Sequence, residues 1–365
     1  MSCDFFALAN AGIQGLSPYQ AGKPIEELQR ELGLEHVVKL ASNENPLGPG
    51  ARVVEACQRF LRDVTRYPDA NGFELKRALS AQFDLRPEQL TLGNGSNDVL
   101  DLIARVFLQP GTSAVFSQFA FAVYPIATQA CGARAIVTKA RDWGHDLDAM
   151  AAAIEADTRV VFIANPNNPT GTWLARAALL AFLRRVPQNV VVVLDEAYTE
   201  FVDDPAFPNG LELLAEFPNL IVTRTFSKAY GLGGLRVGYA VSDPRIADLL
   251  NRVRAPFNVS VLGLAAAAAA LGDADYLERS RQVNRDGMAQ LEAGCKRLDL
   301  PYIPSVGNFI AVEFAADAMP IYERLLREGV IVRPLAQYRM PRHLRVSIGL
   351  PEENQLFLDA LAKVL

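Results

Sequence analysis

The chain has 365 residues, of which 50% are hydrophobic and 21% charged, with a formal net charge of −5 and a mean hydropathy of +0.10. That is room for one large domain and a smaller one, in the composition of an ordinary soluble globular protein. The acidic balance and the lack of a basic cluster weigh against nucleic acid or an anionic membrane surface as the main partner.

In chain order, residues 1–45 read as an N-terminal segment that packs on the smaller domain and ends in Ser42-Asn43-Glu44-Asn45-Pro46. A large domain is expected over 46–270. Within it, Gly93-Asn94-Gly95-Ser96-Asn97 precedes a helical pattern with Val99, Leu100, Leu102, Ile103, Val106 and Phe107 on one apolar stripe. Strand-like runs follow at 113–117, 135–138, 159–163, 190–194, 220–223 and 237–241, with helical patterns at 147–156 and 174–186 between them. The runs around Val161 and Val192 are almost continuously apolar, as strands of a parallel sheet covered on both faces must be. The alternation predicts an α/β fold, a mostly parallel sheet flanked by helices. The alanines of 265–270 predict a tightly packed helix. A long helical pattern over 276–298 leads into a smaller α/β C-terminal domain, 271–365, with strands at 307–314 and 344–348.

Cys3, Cys57, Cys131 and Cys295 are far apart and form no Cys-x-x-Cys pair, and His36, His145 and His343 are equally scattered. No metal centre is expected. The start of the chain lacks the basic and apolar regions of a signal peptide, and no apolar run is long enough to span a membrane. A reduced, cytoplasmic enzyme is the expectation.

The chemistry gathers at three places that follow strand-like runs, where ligands of such sheets bind. They are Asn165-Pro166-Asn167-Asn168-Pro169-Thr170-Gly171, Asp195-Glu196-Ala197-Tyr198, and Thr225-Phe226-Ser227-Lys228-Ala229-Tyr230-Gly231 with a trailing Leu235-Arg236. A lone lysine is usually a solvated charge, a strand-end Asp-Glu could hold Mg²⁺, and Asn-Asn-Pro-Thr-Gly alone is a turn. Together they form a different set. Lys228 can make a Schiff base if its amine is desolvated or lies near a second cation such as Arg236. Asp195 can hold a proton on a pyridine nitrogen, Asn168 and Tyr198 can donate to a phenolic oxygen, and Ser227 with Arg236 can clamp a phosphate. This is the equipment for pyridoxal 5′-phosphate.

In that ordered set the chain resembles the fold type I pyridoxal-phosphate aminotransferases, and within them the histidinol-phosphate aminotransferases. Ser42 to Pro46, Arg66-Tyr67-Pro68-Asp69 and Leu344-Arg345-Val346-Ser347-Ile348-Gly349 support the narrower likeness, which runs from about Leu16 to the C-terminus. The resemblance implies further roles. Gly95, Ser96 and Asn97, which alone read as a simple helix cap, would join Ser227 and Arg236 on the cofactor phosphate. Phe121, or Phe119 two residues earlier, would stack on the cofactor ring. Tyr67 would reach the cofactor phosphate of the partner subunit in a homodimer with shared active sites. Arg345 would grip the substrate carboxylate or phosphate, with Arg333, Tyr19 and Asn308 as neighbouring contacts; Arg333 before Pro334 also reads as a strand-end surface charge.

The implied reaction is a ping-pong amino transfer between L-histidinol phosphate and 2-oxoglutarate, with Lys228 as the acid and base. An aromatic amino-acid aminotransferase and a threonine-phosphate decarboxylase are the alternatives. A DNA-binding regulator lacks its helix-turn-helix here, and Gly231-Leu232-Gly233-Gly234 lacks the spacing of a dinucleotide site.

Overall fold

The computed structural model describes residues 3–18 and 22–365; Tyr19 lies outside them. The large unit is built on seven strands: β2 (Leu90–Gly93), β3 (Ser113–Ser117), β4 (Arg134–Thr138), β5 (Thr158–Ala164), β6 (Val191–Asp195), β7 (Leu220–Thr225) and β8 (Gly238–Ser242). Their order is β2-β8-β7-β6-β5-β3-β4. Strands β4, β3, β5, β6 and β7 run parallel, and β8 runs antiparallel to both β7 and β2.

The pleat sends alternate residues of one strand into different cores. Val160 and Phe162 pack under the helix Ser96–Phe107, whereas Val161 and Ile163 pack against Leu179 and Phe182 of the helix Arg176–Leu183. All four strand residues are buried, so the unbroken apolar run is what two covered faces demand. The expected strands lie within a residue or two of the observed ones. Strand β2 has no counterpart in the sequence reading, because its Leu-Thr-Leu-Gly is too short to show a period. The helix expected over 174–186 is Arg176–Leu183, and that over 147–156 is Leu147–Ala152.

The helix Ala274–Arg297 leads into the small unit. Its antiparallel sheet has the order β12 (Arg333–Pro334), β13 (His343–Ser347), β10 (Phe309–Glu313), β9 (Tyr302–Ile303). The segment before Pro46 divides. Strand β1 (Val38–Lys39) pairs in parallel with β11 (Val330–Ile331), and Leu28 and Ala41 share a core with Ile331, so this part does lie on the small unit. The helix Ala11–Gln14 lies instead on the large unit, against the helix Val123–Ala130, where a Cβ on Gly12 would meet the Gln129 carbonyl. The earlier expectation is corrected there: a four-residue helix with a backbone-tight glycine docks by shape, which no hydrophobic period announces. No helix among the described residues is long and apolar enough to cross a membrane.

Candidate active site

Strands β5, β6 and β7 end side by side, and their last residues open onto one cavity. Asp195 is the final residue of β6. The turn after β5 brings Asn168, and the turn after β7 brings Ser227 and Lys228. Strand β13 of the small unit delivers Arg345 from the other side. Ser96, Asn97, Phe121, Tyr198, Arg236 and Arg333 complete the predicted residues on the wall.

Asp195 forms the floor. Its Oδ2 accepts from Tyr124 Oη at 2.8 Å and its Oδ1 from Thr223 Oγ1 at 3.0 Å. Burial lifts the carboxyl to about 6, against these two hydrogen bonds, which favour the ionised form; neighbouring Glu196 adds to the lift. Tyr124 is fully buried, stacked on Phe162 at 4.8 Å and edge-on to Phe121 at 5.9 Å. One ring thus braces both the carboxylate and the aromatic wall. Neither Tyr124 nor Thr223 was among the predicted residues.

Above the floor, Lys228 Nζ donates to the Ser42 carbonyl at 3.1 Å. Burial, and after it the nearby guanidinium of Arg345, lower the Lys228 amine to about 7; Glu44 opposes them and Arg236 adds to them. The amine is therefore far more readily neutral than that of an exposed lysine. Tyr198, buried and pushed up to about 12 chiefly by burial, accepts from Asn43 Nδ2 at 2.9 Å and from Asn168 Nδ2 at 3.2 Å. Arg345 donates to Asn168 Oδ1 at 2.5 Å and to the Ala41 carbonyl at 2.9 Å, with its guanidinium 5.3 Å from the centre of the Phe309 ring.

At the opposite end the helix Ser96–Phe107 starts from Gly95, which has φ +86 and gives no side-chain cap to the first turn. Free N–H groups and the positive end of the helix dipole therefore face the cavity. Arg236 Nη1 donates to Ser227 Oγ at 3.3 Å and Nη2 to the Asn94 carbonyl at 3.4 Å. A Cβ on Gly95 would fall on Arg236 Nη2, and one on Gly238 would fall on the backbone nitrogen of Ser96. Both glycines let charge and backbone come together as an anion cradle.

The remaining predicted residues lie elsewhere. Asn308 sits one layer behind the wall, donating to the backbone carbonyls of Asn43 and Glu44. Phe119 packs on Trp143 at 5.2 Å, and of the two phenylalanines it is Phe121 that lines the wall. Tyr67 is 82% exposed and stacked on Phe257 at 4.5 Å, away from this chain's own cavity.

The sequence profile for aminotransferase class I and II matches residues 35–361. The chain belongs to that family. This aminotransferase is 63% identical to histidinol-phosphate aminotransferase 2 of Pseudomonas aeruginosa, over 99% of each chain. It is 61% identical to the enzyme of the same name from Pseudomonas fluorescens, over 100% of this chain and 99% of the relative. Among solved structures it is similar to histidinol-phosphate aminotransferase from Sinorhizobium meliloti in complex with pyridoxal 5′-phosphate, with TM-score 0.90 and 32% identity over 97% of this chain and 96% of that one. The large mostly parallel sheet with a smaller C-terminal unit is the fold shared with that structure.

Proposed function

We propose that this aminotransferase moves the amino group of L-histidinol phosphate to 2-oxoglutarate, with pyridoxal 5′-phosphate as its cofactor, as a cytoplasmic homodimer. The observation that carries the chemistry is that one cavity is lined by a buried lysine whose amine is driven toward its neutral form, a buried carboxylate and an arginine held by Asn168. The full-length likeness to the two Pseudomonas enzymes supports the substrate.

The residues fit the cofactor. Ser96 and Asn97 N–H groups, Ser227 and Arg236 would take the phosphate in the cradle cleared by Gly95 and Gly238. Phe121 would cover a face of the ring, and Tyr198 and Asn168 would donate to its phenolic oxygen. Asp195, whose donors are hydroxyls, would hold a proton on the ring nitrogen. When bound, the protonated ring supplies an electron sink for the pair released as a proton leaves the substrate carbon. Lys228 Nζ would take that proton as base and, as acid, would deliver it to the carbon on the far side of the substrate nitrogen. Arg345 and Arg333 orient the substrate by its anion, phosphate in one half-reaction and carboxylate in the other.

Tyr67 and Phe257 form an exposed aromatic stack, with Leu61, Val64 and Phe73 also exposed nearby in sequence. This supports an intersubunit role in which Tyr67 would meet the partner's cofactor phosphate. The direct assay is glutamate formation from 2-oxoglutarate and histidinol phosphate by the loaded protein. Lys228→Ala should reduce it by several orders of magnitude; near-normal turnover would overturn the reading. Preference for phenylalanine would move the substrate to aromatic amino acids. Release of CO₂ from threonine phosphate without 2-oxoglutarate would mean a decarboxylase.

A further inference from the structure

Two amide donors converge on one hydroxyl, and a neighbouring hydrogen bond favours that orientation in each. Tyr198 Oη accepts from Asn43 Nδ2 and from Asn168 Nδ2. An asparagine side chain can present oxygen or nitrogen, and its hydrogen-bond partners decide which. Asn168 must turn its oxygen to Arg345, because a guanidinium only donates. For Asn43 the same orientation is favoured by Ser347, whose proton finds its acceptor in the amide oxygen. The Ser347 oxygen accepts the Asn43 backbone N–H at 2.8 Å, and its single proton goes to Asn43 Oδ1 at 3.1 Å. The Asn43 carbonyl accepts from Asn308 Nδ2 at 3.1 Å. These contacts hold Asn43 at φ +53 and 1% exposure, a backbone region that asparagine tolerates better than most residues.

With two donors aimed at its oxygen, Tyr198 has one direction left for its own proton. Among the described residues no hydrogen-bond acceptor meets it, and Tyr198 lines the cavity. We infer that Asn43 and Ser347 are positioning residues of the active site, which together with the Asn168–Arg345 pair aim the Tyr198 proton into the cavity. The inference rests on the reading of that cavity as a pyridoxal-phosphate site, where the proton would meet the phenolic oxygen of the ring. Ser347 and Arg345 lie two residues apart on β13, so a single strand of the small unit fixes both asparagines.

The test uses the cofactor-loaded protein and the pH at which the visible absorbance of bound pyridoxal phosphate changes form. Ser347→Ala releases the Asn43 amide to turn over, so that Tyr198 can donate to its oxygen and withdraw its proton from the ring. A lost donor disfavours the anionic ring oxygen, so the midpoint should rise by about one pH unit. Turnover should fall about tenfold, while KM for histidinol phosphate should stay within about twofold because Arg345 is untouched. In a Tyr198→Phe background the same substitution should add no shift. If Ser347→Ala fails to fold, Asn43→Asp, which accepts from both hydroxyls, should raise the midpoint, and only the part of that rise that disappears in a Tyr198→Phe background reports the diverted proton, because the added charge acts in both.

The titratable and charged groups facing Tyr198 are Arg345, Asp195, Tyr338 and Lys228, whose Nζ lies 5.8 Å from the ring centre; all are kept in these variants, and only Asn43→Asp adds a charge. An unmoved midpoint in the folded variant, or an equal shift without the Tyr198 hydroxyl, overturns the inference. A wild-type protein that shows no such absorbance would overturn the cofactor reading instead.

Discussion

Tyr124 gives its one proton to Asp195, and that bond is the larger of two that keep a buried carboxyl from rising further. Tyr124→Phe keeps the ring, its stack on Phe162 and its edge on Phe121, and removes only the hydroxyl. A hydrogen bond to a charged group contributes about 1.5–3 kcal/mol, so Asp195 should climb by about one pH unit or more. Since only the ionised carboxylate stabilises a proton on the ring nitrogen, cofactor affinity should begin to fall at a correspondingly higher pH. Equilibrium titrations with pyridoxal phosphate across the acid range would show it, and superimposable curves would reduce Tyr124 to a core residue. Lys228 gives the complementary limb. Its amine attacks only when neutral, so the rate at which cofactor-free protein captures the cofactor should rise with pH through about 7 and then level, as followed by stopped-flow absorbance.

At the scale of elements, the cradle depends on two chain entries coming closer than side chains allow. Gly95→Ala would place a methyl on Arg236 Nη2 at a left-handed backbone position. With ψ 164 this is a conformation nearly exclusive to glycine, which disfavours a β-carbon by about 1–3 kcal/mol, and Arg236 would be displaced as well. We expect at least a tenfold loss of cofactor affinity, measured by dialysis or fluorescence, with the helix Ser96–Phe107 retained by circular dichroism. The elements that place the chemistry were readable in sequence because their signals are local. Continuous apolar runs marked β5 and β6, and Asn168, Asp195 and Lys228 follow strand ends in the chain itself. Strand β2 and the antiparallel turn of β8 were not readable, since four residues carry no period and direction is a property of neighbours. The same reason hides the supporting residues. Tyr124 meets Asp195 across 71 positions, Asn43 meets Tyr198 across 155 and Ser347 across 304, and no local pattern encodes those meetings. Tyr67 and Arg345 came from family likeness rather than from any physical signal of their own.

For the whole molecule, the proposed sharing of Tyr67 between subunits makes a prediction about mixtures. Tyr67→Ala and Lys228→Ala homodimers should each be strongly impaired. If every site takes Lys228 from one subunit and Tyr67 from the other, random reassembly of an equal mixture should restore about a quarter of the sites. No recovery would mean that Tyr67 acts within its own chain or not at all. The sheet itself separates two kinds of carboxylate. Asp195 and Glu196 are consecutive and turn to opposite faces, where Glu196 is fully buried against Arg224 and accepts two bonds from its guanidinium, at 2.9 and 2.7 Å. Among the described residues Asp195 has hydroxyl donors only. Its folded value of about 6 lies above the ordinary 3.8, so the cofactor-free native chain holds more protons than the unfolded chain between these values. Its stability therefore declines as pH rises through them, by about 3 kcal/mol once above both. A cation seated against Asp195 reverses that loss, so the gain in melting temperature on loading should be larger near neutral pH than near pH 5. A cell short of cofactor would thus hold the less durable form, open to proteolysis, and the lifetime of the enzyme would follow the supply of what it needs to work.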